Sequence, residues 1–154
     1  MSYDIHITNE QGETLHTAQP LNLYGGTYSP DSTKLWYNIT YNYSPFYYRA
    51  ETLGESTAVW SNTGKGYQEQ VQPEKGGIPG LAYLTIPQAR ERVLKAIQNL
   101  RDKPLNKHGK PYQGTTDMPA TDYWAPHEAN ARRALVNLLQ LLCLAPDNAK
   151  IQIS

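Results

Sequence analysis

The spacing of apolar residues changes along the chain, from alternation near the start to helical spacing near the end, and this order limits the possible folds. Residues 3–8 and 35–44 alternate between apolar and polar side chains, as half-buried strands do. Residues 86–100 and 126–144 instead carry apolar side chains at helical spacing. Strands followed by helices predict the α+β class, here a small antiparallel sheet with two long helices packed on one face.

The predicted sheet begins with an N-terminal hairpin. Residues 3–8 form its first strand, residues 10–13 the turn, and residues 15–17 the returning strand. A symmetric hairpin would place His6 beside His16. We interpret these residues as an exposed histidine pair and not as a metal site, because the spacing fixes no carboxylate or cysteine beside them.

The third predicted strand, residues 35–44, has two unlike faces. Its apolar set, assigned to the core, is Leu35, Tyr37, Ile39, Tyr41 and Tyr43, and the set on the other face is Trp36, Asn38, Thr40, Asn42 and Ser44. Asparagine is depleted in strands, so its presence on one face asks for a reason. We expect the strand to end at Ser44 and Pro45 to start a short helix that stops at Gly54.

Two long helices follow. Thr85 and Gln88 form a capping box at the start of the first, and the second begins near Pro126 and ends at Ala145. The second helix is apolar over most of its circumference, so it is either the central core element or has a second apolar face for self-association. Cys143 lies among its leucines and is expected to be buried.

Two further stretches have weaker signals. Residues 55–80 are polar and rich in Gly and Gln, which predicts a long surface loop too poor in apolar residues for a core element. A weak strand over residues 57–60 is an option, and the sequence leaves open whether the loop closes over a site. Ile151 and Ile153 alternate with polar residues and predict a last short strand.

Length and charge restrict the classes of protein. The 154 residues predict one domain, 1–154. Fourteen basic and fourteen acidic residues cancel, which argues against a long nucleic acid or an anionic membrane as a partner. The longest apolar run is interrupted by Asn137 and Gln140 and is shorter than the ~20 residues of a membrane span. A single cysteine and no signal-like N-terminus lead us to expect a cytoplasmic protein.

The polar face of the third strand is the leading candidate for a binding site. Amide and hydroxyl groups offer donors and acceptors that recognise the edge of a base or a ribose, and Trp36 can stack on a planar ring. Arg49 and Lys34 can contact a phosphate. The alternative is that the row of Asn38, Thr40 and Asn42 is simply a solvated sheet face.

A second cluster raises the possibility of catalysis. His127 and Glu128 lie at the predicted start of the last helix, near Asp122, where a histidine can act as a general base. Acidic residues favour helix N-termini for electrostatic reasons alone, and no Ser or Cys nucleophile is placed against His127 by a recognised spacing. We therefore predict no catalytic residue.

Several stretches together resemble one group of proteins. They are MSYDI at the start, Gly25 to Tyr28, Leu35 to Tyr43, Phe46 to Arg49, Tyr123 to Pro126 and Asn130 to Leu135. They are similar to a family of small uncharacterised bacteriophage and prophage proteins with an N-terminal MSYDI and a WxNITYNY strand. The resemblance spans most of the chain, with the loops at 55–80 and 104–120 outside it.

The resemblance implies a phage setting and the cytoplasm of a host cell. Small accessory phage proteins are often binders, which favours a non-enzymatic homo-oligomer that sequesters a small nucleotide-like molecule, such as a bacterial immune signal, as an anti-defence sponge. The residues predicted to bind it are Trp36, Asn38, Thr40, Asn42, Arg49, Tyr28, Trp124 and Arg133. No metal or cofactor is predicted. The alternatives are a protein-binding inhibitor of a host factor and a small hydrolase or transferase that uses His127 and Glu128.

Overall fold

The computed structural model describes residues 2–21, 23, 32–55, 59–62, 67–70, 76–102 and 128–154. These residues form five strands and four α-helices. In chain order they are β1 (Ser2–Thr8), β2 (Trp36–Thr40), α1 (Ser44–Tyr47), β3 (Val59–Asn62), β4 (Tyr67–Gln70), α2 (Gly77–Gly80), α3 (Ile86–Gln98), α4 (Glu128–Leu144) and β5 (Lys150–Ile153). A 3-10 turn follows β2 (Tyr41–Tyr43) and another follows α2 (Leu81–Tyr83). The α+β class predicted from the sequence is confirmed.

The central strand of the three-stranded antiparallel sheet is β1, and the strand order is β2-β1-β5. His6 lies opposite Trp36 on β2 and opposite Gln152 on β5. The chain turns back after β1 as predicted, but the returning segment makes only isolated bridges, one of them between His16 and Lys34. Because β2 and β5 occupy both edges of β1 at His6, the predicted pairing of His6 with His16 is wrong. The last strand, β5, is confirmed.

The start of β2 has the predicted alternation. Its core-facing side chains are buried: Leu35, Tyr37 and Ile39. The strand ends at Thr40, however, and the prediction that it runs to Ser44 is wrong. The Thr40 hydroxyl accepts a hydrogen bond from the Asn42 N–H (3.3 Å) and so caps the 3-10 turn that follows. Tyr41, expected in the core, is therefore 36 % exposed.

The helix predicted after β2 is a single turn, α1, which ends at Tyr47 and does not continue to Gly54. The buried Thr52 hydroxyl lies within hydrogen-bond distance of the Phe46 and Tyr47 carbonyl oxygens (2.8 and 3.0 Å). A side chain thus satisfies carbonyls that a longer helix would have paired with its own N–H groups. Pro45 lies in the first turn of α1, as predicted.

The two long helices are confirmed. The capping box of Thr85 and Gln88 is present at the start of α3, and α4 ends at Leu144; the predicted start near Pro126 lies outside the described residues. Most apolar side chains of α4 are buried: Ala131, Ala134, Leu135, Leu138, Leu141 and Leu142. Within the sheet side of the core, the Asn137 amide donates to the Tyr37 hydroxyl (3.1 Å). These contacts favour the interpretation of α4 as the central core element, and self-association stays a prediction.

The prediction that Cys143 is buried is wrong, because its side chain is exposed. Consecutive helical residues are turned by about 100° around the axis, and Leu141 and Leu142 already face the core. Cys143, one position beyond Leu142, is therefore turned away from the buried stripe. Neighbouring leucines alone therefore do not indicate burial, since Leu144 is also 53 % exposed.

Two arginines, one on each helix, join α3 and α4, which run antiparallel. Arg132 of α4 donates from Nε to the Ile97 carbonyl near the end of α3 (3.2 Å). Arg90 of α3 donates from Nε to the Leu142 carbonyl near the end of α4 (2.7 Å). The last carbonyls of a helix lack intrahelical donors and carry partial negative charge, so each helix end is stabilised by a cation from the other helix.

The stretch predicted to be a long loop contains a two-stranded antiparallel ribbon, formed by β3 and β4; β3 overlaps the weak strand that the sequence suggested. The two ends of this excursion meet where the Gly77 N–H donates to the Gly54 carbonyl (3.1 Å). Directly after it, Ile78 and Leu81 are buried in the core. The expectation that the stretch before residue 80 holds no core element is therefore wrong. The sequence pattern could not detect Ile78, because no apolar residues at regular spacing surround it.

Candidate functional site

One face of the sheet points away from the buried isoleucines of β1 and carries polar and aromatic side chains. We define this outer face by Ser2, Asp4, His6, Trp36 and Asn38. The register joins the two strands, since Asp4 lies opposite Asn38 and His6 lies opposite Trp36. Asp4, His6 and Trp36 are half-buried. Two residues that the sequence predicted for the site, Trp36 and Asn38, thus lie on one face with neighbours from β1.

The amide of Asn38 is held in one orientation. The residue is 8 % exposed, and its Nδ2 donates to Ser2 Oγ (2.8 Å) and to Asp4 Oδ1 (2.9 Å). An oxygen in place of Nδ2 would face the Asp4 carboxylate without a donor, so the orientation is fixed by chemistry. Among the described residues no donor reaches Asn38 Oδ1 or Asp4 Oδ2. The pair therefore presents acceptors, while its amide donors are already used.

His6 and Trp36 form the aromatic part of the outer face. Their ring centroids are 6.3 Å apart with an interplanar angle of 46°. His6 Nδ1 is 3.0 Å from Thr14 Oγ1, which fixes the imidazole. His16 has its own partner, with Nδ1 2.9 Å from Thr33 Oγ1. The part of the chain that the structure describes contains no group of three side chains suited to a metal ion.

A cleft of about 620 Å³ opens beside His6, between the outer face and the end of the chain. Thr14, Gln152 and Ser154 line it together with His6. Ser154 and Asp4 exchange backbone hydrogen bonds (2.9 and 3.0 Å), so the cleft adjoins the strand position that carries the Asp4 carboxylate. Ligand clefts are commonly ~300–1,000 Å³, and this volume suits a mononucleotide-sized molecule.

The other residues predicted for the site are Thr40, at the end of β2 opposite Ser2, and residues that lie off the strand. Thr40 caps a 3-10 turn, and Asn42 lies within that turn and not on the strand. Arg49 pairs with the Glu128 carboxylate at 3.6 Å and lies over the Phe46 ring, 5.2 Å from its centroid. The strand row therefore breaks after Thr40, and the guanidinium of Arg49 is used within the fold.

The alternative catalytic pair is described only in part. Glu128 Oε1 contacts Arg49 and also accepts a hydrogen bond from the Arg101 N–H (3.3 Å). Its carboxylate therefore joins α4 to the turn after α1 and to the end of α3. His127, Tyr28 and Trp124 lie outside the described residues, and Arg133 is exposed on α4.

Sequence reasoning did not assign Asp4 or Ser2 to the binding site. Their contribution depends on the pairing of β1 with β2, which places Asp4 opposite Asn38 across 34 positions of sequence. The alternation of β1 assigned Asp4 to the polar face, and that was the available signal. The strand partner and its register were not determined by the pattern.

A second cleft, of about 640 Å³, lies between residues 50–54 and the solvent side of α3. Its walls include Leu53, Leu84 and Leu94 as well as Arg92 and Lys95. The helical spacing of residues 86–100 leaves Arg92 and Lys95 off the apolar stripe, but this spacing does not indicate which residues lie opposite them. The cleft depends on the turn after α1, whose course the sequence did not predict.

Comparisons of this chain with protein-family models, with curated proteins and with solved structures give no match. The resemblance to phage proteins, the ligand and the homo-oligomer therefore stay predictions. Among the described residues, no helix has the length and apolar character needed to cross a membrane.

Proposed function

We propose that the protein is a non-enzymatic binding protein that sequesters a small nucleotide-like molecule at the outer face of its sheet. The observation that supports this most is the fixed Asp4–Asn38 pair, which presents acceptor oxygens on the same sheet face as Trp36 and as His6, the residue of that face that lines the cleft of about 620 Å³. Trp36 supplies a surface on which a planar ring can stack. The phage resemblance supports an anti-defence setting, with a bacterial immune signal as the ligand.

The unused acceptors favour a ligand edge rich in donors. A guanine base presents N1–H and an exocyclic amino group side by side, and a carboxylate can accept both. Adenine presents an acceptor at N1, which would face the carboxylate without a hydrogen bond. We therefore expect a guanine nucleotide to bind better than its adenine counterpart. Lys34, exposed just before β2, is the cation nearest in sequence for a phosphate.

The first experiment separates the alternatives. The purified protein is incubated with cyclic guanine and adenine nucleotides and with an ADP-ribose derivative, and the free nucleotides are measured after ultrafiltration. The protein is then heated to release whatever it holds. Return of the intact molecule supports sequestration, and return of a product supports the hydrolase or transferase. No depletion of any nucleotide would refute both small-molecule functions and favour the protein-binding inhibitor.

The second experiment tests the site by calorimetric titration of GMP, IMP and AMP. IMP lacks the exocyclic amino group, so we expect GMP to bind about 10-fold or more tightly than IMP, and AMP to bind most weakly. Asp4→Asn should remove this preference while keeping an oxygen for the Asn38 amide. Trp36→Ala should weaken the binding of every nucleotide. Asp102→Asn, a substitution at an exposed carboxylate after α3, is the matched control and should change nothing.

Asn38 is not a suitable site for a simple binding test. Its replacement by Ala removes the donor to Ser2 and Asp4, so we expect a loss of stability of about 1–3 kcal/mol together with any loss of binding. A weaker affinity of that variant would therefore not distinguish a contact with the ligand from partial unfolding. Asp4→Asn and Trp36→Ala avoid this difficulty, because Asn still accepts from Asn38 and Trp36 is half-buried.

A further inference from the structure

The cleft between residues 50–54 and α3 differs from the outer face in its chemistry. Its lining includes three leucines, Leu53, Leu84 and Leu94, of which Leu53 is buried and Leu94, on α3, is 46 % exposed. The same helix contributes Arg92 and Lys95 to the lining, three residues apart and therefore neighbours on its surface. An apolar surface thus adjoins two cations in one concave space.

The cations of this cleft are unused, in contrast to other arginines of the molecule. Arg90 and Arg132 donate to carbonyls at helix ends, and Arg49 pairs with Glu128. Among the described residues, neither Arg92 nor Lys95 has an ion pair or a side-chain hydrogen bond. With no partner among the described residues, the Arg92 guanidinium and the Lys95 ammonium are available to an external anion.

The remaining charge in the cleft is Glu91, so the cleft carries one negative and two positive side chains. This leaves an excess of one positive charge within a protein of zero formal charge. The length of α3 between Gln88 and Gln98, both at the cleft, is about 15 Å at 1.5 Å per residue. The cleft therefore extends along about 15 Å of α3 and combines two cations with apolar side chains.

We propose that this cleft binds an amphiphilic organic phosphate, with the phosphate held by Arg92 and Lys95 and the apolar part against Leu84 and Leu94. The volume of about 640 Å³ lies within the range of small-molecule sites. A bare phosphate uses only the cations, and a neutral amphiphile uses only the leucines. Both should bind more weakly than a molecule that has the two parts together. This site is independent of the outer face and of the function proposed there.

The test is a calorimetric titration of the whole protein with octyl phosphate, inorganic phosphate and octyl glucoside. The two octyl compounds are kept below their micelle concentrations. We expect octyl phosphate to bind at least about 10-fold more tightly than either of the others. Equal affinities for octyl phosphate and inorganic phosphate would show simple charge attraction and overturn the proposal. Absence of octyl phosphate binding would overturn it as well.

Variants assign the binding to the cleft. The double substitution Arg92→Gln with Lys95→Gln should lower octyl phosphate affinity about 10-fold or more. The control Arg101→Gln with Lys150→Gln removes the same charge from two exposed positions away from the cleft and should leave the affinity unchanged. Equal effects of the two double variants would refute a specific site. Far-UV circular dichroism and thermal unfolding check that both variants fold.

The same variants keep the two proposals separate. Nucleotide binding at the outer face should depend on Asp4 and Trp36 and not on Arg92 or Lys95, and octyl phosphate binding should show the opposite dependence. A nucleotide affinity that falls only in the Arg92 and Lys95 variant would place the nucleotide in this cleft and refute the function proposed for the outer face.

Discussion

Replacing Arg90 by Met should loosen the C-terminal end of α4. The Arg90 guanidinium donates to the Leu142 carbonyl (2.7 Å), to the Ala145 carbonyl (2.6 Å) and to Asp147 Oδ1 (2.6 Å). The two carbonyls lie where the helix has no further N–H groups to pair with them. Methionine keeps much of the apolar stem of arginine, so the substitution removes mainly these three hydrogen bonds.

The size of the effect follows from the geometry. Hydrogen bonds that involve a charged group contribute about 1.5–3 kcal/mol each, so the two to carbonyls could contribute about 3–6 kcal/mol. The Arg90 side chain is 28 % exposed, so water can replace part of this hydrogen bonding in the variant. We therefore expect the free energy of unfolding to fall by about 2–4 kcal/mol. Asp147 is 73 % exposed, and its ion pair should add less than about 1 kcal/mol.

Urea unfolding followed by far-UV circular dichroism measures this loss, and Tm should fall by roughly 4–16 °C, at about 2–4 °C per kcal/mol for a domain of this size. Asp147→Asn is the matched control, since it removes the ion pair and leaves the carbonyl contacts. Arg90→Lys should fall between the two, because an ammonium cannot reproduce the planar fork. If Arg90→Met costs less than about 0.5 kcal/mol, or if Asp147→Asn costs as much, the reasoning is refuted.

Three further substitutions test other parts of the fold by the same unfolding measurement. Thr85→Ala removes the side-chain half of the capping box and should cost about 1 kcal/mol, and no loss would contradict the cap at α3. Gly77→Ala should cost about 2–4 kcal/mol, because Gly77 has φ +62° and its new Cβ would lie 2.6 Å from the Tyr48 ring. Tyr37→Phe should cost about 1–3 kcal/mol by removing an acceptor of the buried Asn137 amide, and a smaller cost in a background that also carries Asn137→Leu would support that contact.

The sequence predicted best those elements whose signals are local and repeated. The capping box at Thr85 and the apolar stripe after it fixed α3, and the stop at Ala145 fixed the end of α4. Alternation identified β1, the first half of β2 and the short last strand. Each of these depends on residues within one or two turns or on a period that several residues share.

The failures occurred where one residue decides between two local structures. Thr40 fits an extended strand and also caps a helix, and the cap ends β2 four residues before the expected end. The end of α1 depends on Thr52, whose hydroxyl hydrogen-bonds to the carbonyl oxygen of Phe46, six residues earlier. Ile78 belongs to the core but stands alone among Gly and Pro. In these cases the deciding interaction has no period, so pattern analysis could not detect it.

The candidate site shows a related difference between residue type and residue function. Asn38 was notable as an amide, a group that both donates and accepts, and the ligand expected from the sequence was correspondingly broad. Because β1 pairs with β2 in this register, the Asn38 amide donates its hydrogens to Ser2 and Asp4. The groups left for a ligand are the Asn38 and Asp4 oxygens, which favour a ligand that donates hydrogen bonds. The expected preference for guanine over adenine therefore follows from strand pairing and not from composition, and a one-residue shift of β1 would turn Asp4 to the core and abolish it.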